Sequence, residues 1–296
     1  MHTLHIGRTP VFSAPAISEQ FGIKNLAIKD ESANPFGTHK DRKSLHVVLE
    51  TTNVASHLRT EALCILTAGN AGLSLAKIGA LYGVPTIAFV GADLISSNLH
   101  QQLKSTCERA IPLNLEERMW PSHELCRLAG AEHGRRVRDV TNGITKPFEY
   151  IVDEICEGGV EQLPDTIVLP VGGGELFFGV ADGLARRGLR TRLIGITVRK
   201  DSAADKLYSK WNPYSDQIKA MANGSPHRLY HLEDEALLLD TFDWLSSYGI
   251  QCEPSSAASF AALHELRAQF RRDEKILVMN TGTFKLGNSA RCFALP

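Results

Sequence analysis

Short apolar runs rich in valine, isoleucine and leucine recur along the chain and alternate with segments of helical periodicity. The runs read LAIKD, ALCILT, TIAFVG, DTIVLPV, TRLIGITV and KILVMN. Each run leads into a glycine-rich or capped turn, which is typical of strand–turn–helix units. Because the runs are continuously apolar, they indicate strands that are buried on both faces. The pattern predicts an α/β protein with open, mostly parallel sheets flanked by helices.

The alternation breaks in an irregular stretch that contains glycine and proline, DVTNGITKPFEY at 139–150. The chain has 296 residues, which is long enough to form two domains. We therefore predict that this stretch crosses between two lobes. A second irregular segment, 210–229, is expected to be a surface excursion.

Charge and cysteine usage narrow the classes of function. The net charge is -1, and the densest basic run, GRRVRD at 134–139, has no aromatic partners, so no nucleic-acid partner is expected. The 6 cysteines are scattered without a C-x-x-C pair, which indicates reduced thiols, a cytoplasmic location and no metal site. The N-terminus lacks the apolar core of a signal peptide, and no apolar run approaches the roughly 18 residues of a spanning helix. No membrane association is expected.

The segment NPFGTHKDR at 34–42 places a lysine at the head of a helix. An Asn-Pro turn comes first, and Thr38 with Asp41 predicts a capping box. Lys40 then lies in the first helical turn, where the helix dipole costs a cation roughly 0.3–1 kcal/mol and favours the neutral, nucleophilic amine. The alternative for any single lysine is a solvated surface charge.

Two further strand-to-helix turns stand out. In LTAGNAGLSLA the strand ends at Thr67, and Asn70 stands at the start of a helix, where a plain N-cap is the alternative to a functional role. In VLPVGGGELFFG a buried strand runs into glycines 172 to 174 and then a helix. Free N–H groups at such a helix start suit a phosphate, whereas a hinge or a close helix–strand packing is the alternative.

Competing motifs fail on inspection. The segment GGGELF does not complete G-x-G-x-x-G, and GELFFGVA lacks the lysine and hydroxyl residue of a nucleotide-binding loop. The segments HELCR and HELRA lack a second histidine four residues on, and no G-x-S-x-G elbow is present. Nicotinamide-binding, nucleotide-hydrolase, metalloprotease and serine-hydrolase functions are therefore not indicated.

Taken in order, these segments resemble the pyridoxal-phosphate enzymes of fold type II, the threonine synthase, cysteine synthase and tryptophan synthase β family. The resemblance covers most of the chain: GRTPVF, KDESANPFGTHKDR, TAGNAGLSLA, VGGGELFFG, EPSSAASFAAL and NTGTFKLG. Each segment is a weak signal alone, but their shared order is specific. NPFGTHKDR and EPSSAA are most similar to the threonine synthase branch.

The resemblance implies a role for each matching residue. Lys40 is the Schiff-base lysine, Asn70 contacts the 3-oxygen of the cofactor, and Thr281 faces the pyridine nitrogen. For Thr281 the alternative is a strand-end hydroxyl that satisfies the backbone. The phosphate loop is Gly172, Gly173, Gly174, Glu175 and Leu176. The substrate loop is Thr67, Ala68, Gly69, Asn70 and Ala71.

Several residues depart from the family pattern. The family usually has threonine at Phe36, phenylalanine at His39, and hydroxyl residues at Ala68 and often at Ala71, where they hold the substrate carboxylate. Their loss leaves Thr67 and backbone N–H groups for that task. The fourth glycine of the phosphate loop is Glu175, whose carboxylate must point away from a phosphate or repel it. His39 could assist proton transfer, but a neighbour of Lys40 in a helix is expected to face elsewhere.

The resemblance implies a small mobile domain over 44–143 and a large cofactor-binding domain formed by 1–43 and 144–296. It also implies pyridoxal 5'-phosphate as the cofactor, a small amino acid as the substrate and a homodimer. The expected activity is a lyase or synthase reaction, in which the α-proton is removed and a β- or γ-group is eliminated or replaced. A cysteine synthase-like β-replacement and a non-catalytic cofactor-binding or regulatory protein remain as alternatives.

Overall fold

A computed structural model describes residues 4–53, 61–94, 97–115, 117–131, 134–157, 163–210, 212–224 and 226–283. In chain order the strands are β1 Val11–Ser13, β2 Asn25–Asp30, β3 Ala62–Leu66, β4 Thr86–Gly91, β5 Arg109–Leu113, β6 Val137–Asp139, β7 Thr166–Pro170, β8 Arg192–Val198, β9 Arg228–Leu232 and β10 Lys275–Asn280. The α-helices are α1 Pro15–Phe21, α2 Lys40–Asn53, α3 Asn70–Leu81, α4 Asn98–Thr106, α5 Ser122–Gly130, α6 Lys146–Glu157, α7 Glu175–Arg186, α8 Ser215–Gly224, α9 Glu235–Ser247 and α10 Pro254–Leu266. The last residues of NTGTFKLG and Cys292 lie outside the described part of the chain.

The smaller sheet is parallel and has the strand order β5-β4-β3-β6 among the described residues. Its inner strand β3 presents alternate side chains to opposite faces, as the two-residue period of a strand requires. Leu63 and Ile65 pack with α2 and α3, whereas Ala62 and Cys64 pack with α5. Both faces of the sheet are therefore covered by helices.

The larger sheet has the order β1-β2-β10-β7-β8-β9 in the described part of the chain. Only its edge strand β1 is antiparallel to its neighbour, and the other pairs are parallel. In β10, Ile276 and Val278 pack in the same cluster as α10. Leu277 and Met279 pack with α6 and α7 on the opposite face.

Two covered faces on each sheet explain why the strand segments are continuously apolar, and the α/β fold predicted from them is confirmed. The strands of the smaller sheet lie within 62–139, and the larger sheet uses strands from both sides of that range. The domain limits at 44 and 143 and the mobility of the small domain stay predictions. The expected surface excursion at 210–229 is wrong in part, because it contains α8 and enters β9.

Candidate active site

The turn that follows β2 delivers Lys40 as the first residue of α2. The hydroxyl of Thr38 accepts a hydrogen bond from the backbone N–H of Lys40 at 3.2 Å. The carboxylate of Asp41 accepts from the backbone N–H of Phe36 at 2.8 Å. The predicted capping box is therefore only half right, because Asp41 reaches back to Phe36 rather than to Thr38. Asp41 also accepts from the hydroxyl of Ser74 at 2.6 Å, which ties the turn to α3.

The residues after β10 run against the same turn. The carbonyl oxygen of Thr281 accepts from the backbone N–H of His39 at 2.9 Å, and the N–H of Thr283 donates to the carbonyl of Gly37 at 2.9 Å. A Cβ at Gly282 would lie 2.9 Å from that carbonyl oxygen, so this close approach requires a glycine. Thr281 is thus brought beside the lysine turn from near the other end of the chain.

His39 precedes α2, so helical periodicity does not set the direction of its side chain. Its ring centroid lies 5.7 Å from that of Phe148, and Lys40 Nζ lies 5.8 Å from the same centroid. The expectation that His39 faces away from Lys40 therefore does not hold. Burial lowers the pKa of His39 well below its usual range, and the positive charge of Lys40 lowers that pKa further. The imidazole is neutral and donates from Nδ1 to the carbonyl oxygen of Thr281 at 2.9 Å.

The loop between β3 and α3 is held in shape by the hydroxyl of Thr67. That oxygen accepts from the backbone N–H groups of Gly69 at 3.1 Å and Gly72 at 3.0 Å, and it donates to the carbonyl of Gly69 at 3.3 Å. Because one hydroxyl offers a single donor and two acceptor positions, these bonds use it fully. We expected Thr67 to bind the substrate carboxylate in place of the missing hydroxyls, but its hydroxyl is committed to the loop.

Asn70 is the first residue of α3, and its side chain is not the N-cap of that helix. Its amide donates to Glu253 Oε2 at 2.9 Å. Glu253 is buried and lies just before α10, where its own N–H donates to the carbonyl of Gly282 at 2.9 Å. The alternative of a plain cap for Asn70 is therefore wrong, because its amide reaches across to the larger sheet. Ala68 and Ala71 bring no polar side chain: Ala68 is exposed, and Ala71 lines a cavity of about 10 Å³ together with Lys40.

Lys206 also reaches this loop, although no sequence pattern predicted it. Its ammonium group donates to Glu253 Oε2, the same oxygen that accepts from Asn70. A Cβ built on Gly69 would lie 3.1 Å from Cε and 3.5 Å from Nζ of Lys206. Lys206 lies in a short 3-10 helix, Asp205–Leu207, whose sequence matches no motif. Its position after the carboxyl end of β8 is the one available signal, since sites in such sheets form at that edge.

The three glycines after β7 differ in their surroundings. A Cβ at Gly172 would overlap the carbonyl oxygen of Lys206. Gly174 has a φ of 95°, a left-handed conformation that favours glycine. A Cβ at Gly173, in contrast, would meet no described atom within 4 Å. The loop leads directly into α7, so its N–H groups stand at the N-terminus of a helix.

Glu175, the first residue of α7, turns its carboxylate toward α2. It accepts from Lys43 Nζ at 2.7 and 2.9 Å and from the backbone N–H of Ile144 at 3.0 Å. This geometry meets the condition that the carboxylate point away from a phosphate. Burial lowers the pKa of Lys43 to about 8, although the charge of Glu175 acts in the opposite direction. Leu176 packs its side chain into the core with α6, so only its backbone is available to the loop.

Comparison with known proteins decides the family. A family model described as pyridoxal-phosphate dependent enzyme matches residues 2–282. The chain belongs to this family. It is 26% identical over 310 residues to a threonine synthase of Methanosarcina acetivorans, covering 95% of this chain and 75% of that one. It is 28% identical to cysteine synthase B of Salmonella typhimurium over 51% of this chain and 50% of that protein.

Solved structures of the family share the fold. The crystal structure of serine racemase from Dictyostelium discoideum superposes with a TM-score of 0.78 at 17% identity, covering 96% of this chain and 94% of that one. At this identity the match shows the fold of the fold type II enzymes and nothing finer. Pyridoxal 5'-phosphate is the cofactor of the family and of this protein.

The residues at the site fit this cofactor. The open side of Gly173 offers N–H groups at the start of α7, and the Glu175 carboxylate is turned away and neutralised by Lys43. The turn before Lys40 and the amide of Asn70 both connect to the end of β10: the turn bonds to Thr281 and Thr283, and the amide is linked to Gly282 through Glu253. In the described part of the chain no group of His, Cys, Asp and Glu could hold a metal ion. No helix among those residues is long and apolar enough to cross a membrane.

Proposed function

We propose that this protein is a pyridoxal-phosphate-dependent lyase or synthase of the threonine synthase type. It would remove the α-proton of a small amino acid and then eliminate or replace a group on the β- or γ-carbon. The observation that supports this proposal is the meeting of the Lys40 turn, the Asn70 loop and the end of β10. The glycine loop before α7 reaches the same place through Lys206, which borders Gly172 and donates to Glu253. Two of the relatives are threonine synthases that align with most of the chain.

In this proposal each residue has a distinct task. Lys40 would carry the cofactor through its amine and, once the amino group of the substrate has replaced it, would act as the base toward the α-proton. The N–H groups of Gly173 and Gly174 would bind the phosphate. Thr281 would face the ring nitrogen with a neutral hydroxyl. When bound, the cofactor supplies an electron sink for the charge left by the departing α-proton.

The neutral His39 supports the same arrangement. Because burial and the charge of Lys40 hold the pKa of His39 well below its usual range, the imidazole adds no positive charge beside Lys40. Its Nδ1–H donates to the Thr281 carbonyl. It also fixes the backbone of Thr281 relative to the lysine turn. We infer a positioning role for His39.

The attachment site is tested by borohydride reduction of the cofactor-loaded protein, followed by peptide mapping. We expect the label on Lys40 and no label in Lys40→Ala. A label on Lys43 or Lys206 would contradict the proposal, and so would a protein that takes up no cofactor after reconstitution.

The reaction is tested by incubating the loaded protein with O-phosphohomoserine, serine, threonine, or O-acetylserine with sulfide. Release of phosphate, ammonia or acetate with formation of a new product is the expected result for one of them. Interconversion of L- and D-serine without release of any group would show a racemase instead. No change in any amino acid by a loaded protein would favour the non-catalytic alternative.

A further inference from the structure

We propose that Lys206 is the residue that binds the carboxylate of the amino-acid substrate, and that it sets the preference for an α-carboxylate over a neutral group. This inference rests on the proposed function, because it assigns a role within the same site.

The first step is that the side chains of the Asn70 loop offer no charged group for an anion. Ala68 and Ala71 have no polar side-chain atoms, and the hydroxyl of Thr67 is used by Gly69 and Gly72. The N–H of Gly72 is itself bonded to Thr67 and to the carbonyl of Gly69. A charged carboxylate needs strong donors when it leaves water. The Asn70 loop alone supplies no charged donor.

The second step is the position of the Lys206 ammonium. It lies against the loop, since its Nζ is 3.5 Å from the position of a Cβ on Gly69. The side chain is partly exposed, with a relative accessibility of 20%, while its partner Glu253 is 6% exposed. The ammonium is therefore at the border between the buried ion pair and the accessible side of the loop.

The third step is that this ammonium is held in place. Glu253 Oε2 accepts from both Lys206 and Asn70, so the lysine and the loop are fixed to one carboxylate. The main chain of Lys206 also borders Gly172 of the phosphate loop, where a Cβ would overlap the lysine carbonyl oxygen. A cation positioned in this way can meet a carboxylate without a large loss of side-chain freedom.

The experiment compares two ligands that differ only in this group. α-Methyl-L-serine lacks an α-proton, so it binds without further reaction, and α-methyl-L-serinamide replaces its carboxylate by a neutral amide. Affinities for the cofactor-loaded protein are measured by titration calorimetry. We expect the wild-type protein to bind the acid roughly tenfold or more tightly than the amide, as a charge-assisted hydrogen bond allows.

The variants separate charge from structure. Lys206→Met should bring the ratio of the two affinities close to one, whereas Lys206→Arg should keep most of it. Lys200→Met removes an exposed lysine from the same segment and should leave the ratio unchanged. If Lys206→Met does not fold, the double variant Lys206→Met with Glu253→Gln removes the charge without leaving Glu253 unpaired.

The outcomes for the two proposals are distinguishable. An unchanged affinity ratio in Lys206→Met or in the double variant would overturn the role of Lys206, and so would a wild-type protein that binds neither ligand or binds both equally. In each of those cases a borohydride label on Lys40 would leave the proposed function standing. A label on Lys206 would overturn both proposals.

Discussion

Gly173 differs from the glycines on either side because nothing in the described protein requires it. Gly172 passes too close to Lys206 for a side chain, and Gly174 has a left-handed backbone. The space beside Gly173 is empty of protein atoms within 4 Å. Packing against the described residues therefore does not explain its lack of a side chain, which is consistent with the phosphate loop that we propose.

Gly173→Asp should weaken cofactor binding strongly, because a carboxylate would enter the space proposed for the phosphate and repel it. We expect a loss of roughly tenfold or more in affinity, measured by absorbance titration of the apoprotein with the cofactor. Gly173→Ala is the matched control, since its Cβ meets no protein atom and carries no charge. Equal affinity in wild-type and Gly173→Asp would remove this loop from the proposed phosphate site.

A second prediction at the level of single residues concerns Thr281, which we propose to face the ring nitrogen. Thr281→Asp should raise the pKa of that nitrogen, because a nearby negative charge favours its protonated form. The measurement is a pH titration of the cofactor absorbance in the loaded protein. Thr283→Asp serves as the comparison. If Thr283→Asp shifts the titration and Thr281→Asp does not, then Thr283 is the residue that meets the ring.

At the level of elements, the fully buried strands were predictable from the sequence, whereas several half-buried ones were not. The segments KILVMN and DTIVLPV are continuously apolar because both faces of β10 and β7 are covered. β9 reads RLYHL and is largely half-buried at the edge of its sheet. Because β9 contains polar residues, it lacks the apolar run of a buried strand, and the segment 210–229 was predicted to be a surface excursion.

The start of α7 shows how far a functional element could be predicted from the sequence. The glycine run predicted the phosphate loop, and Glu175 looked like a defect in it. Its compensation is Lys43, one helical turn after Lys40, which no local pattern connects with Glu175. The pairing depends on the meeting of α2 and α7, so it required the structure.

Removing the charge of Lys43 or of Glu175 should change the affinity for the cofactor in opposite directions. Lys43→Met leaves an uncompensated negative charge near the glycine loop and should weaken cofactor binding by about 1 kcal/mol, roughly fivefold. Glu175→Gln leaves a net positive charge there and should preserve or increase the affinity. Absorbance titrations of both variants measure the effect. A loss of the same size in both would show that the pair acts only through stability.

At the level of the whole molecule, the sequence predicted which segments form the site but not what holds them together. The order of the lysine turn, the Asn70 loop, the glycine loop and the end of β10 was enough to predict the family and its cofactor. Glu253 and Ser256 lie in the EPSSAA segment that supported the resemblance, but nothing in the sequence indicated that they and Lys206 join these segments. Contacts between distant segments follow from the way two sheets pack, which local periodicity does not encode.

A buried ion network below the Lys40 turn connects four parts of the molecule. Arg42 in α2 pairs with Glu31 at 2.7 Å and with Glu154 in α6 at 2.6 Å. Lys29 in β2 donates to Glu154 at 2.6 Å and to the carbonyl of Thr9 at 2.7 Å. Two cations thus face two carboxylates, and the network holds the first turn of α2, the helix that begins with Lys40.

Glu154 gives this network a pH dependence whose sign follows from its pKa. Burial alone would raise the pKa of Glu154, but hydrogen bonds and charges from Arg42 and Lys29 lower it to about 2. Since the ordinary pKa is 4.5, the folded state favours the charged form. The stability that Glu154 contributes is therefore full above pH 4.5 and is lost as the pH falls toward 2.

Glu154→Gln should accordingly lower the free energy of unfolding by about 3 kcal/mol near neutral pH, because Lys29 and Arg42 each lose one charged partner in a buried setting. The difference from wild type should shrink as the pH falls below 4.5, where the wild-type protein begins to lose the same contribution. Denaturant unfolding measured between neutral pH and pH 3 tests both statements. Glu50→Gln is the control, because Glu50 is 43% exposed and pairs with Arg138 at the surface, where a pair contributes less than about 1 kcal/mol. If the two variants lose the same stability at every pH, the network does not stabilise the first turn of α2.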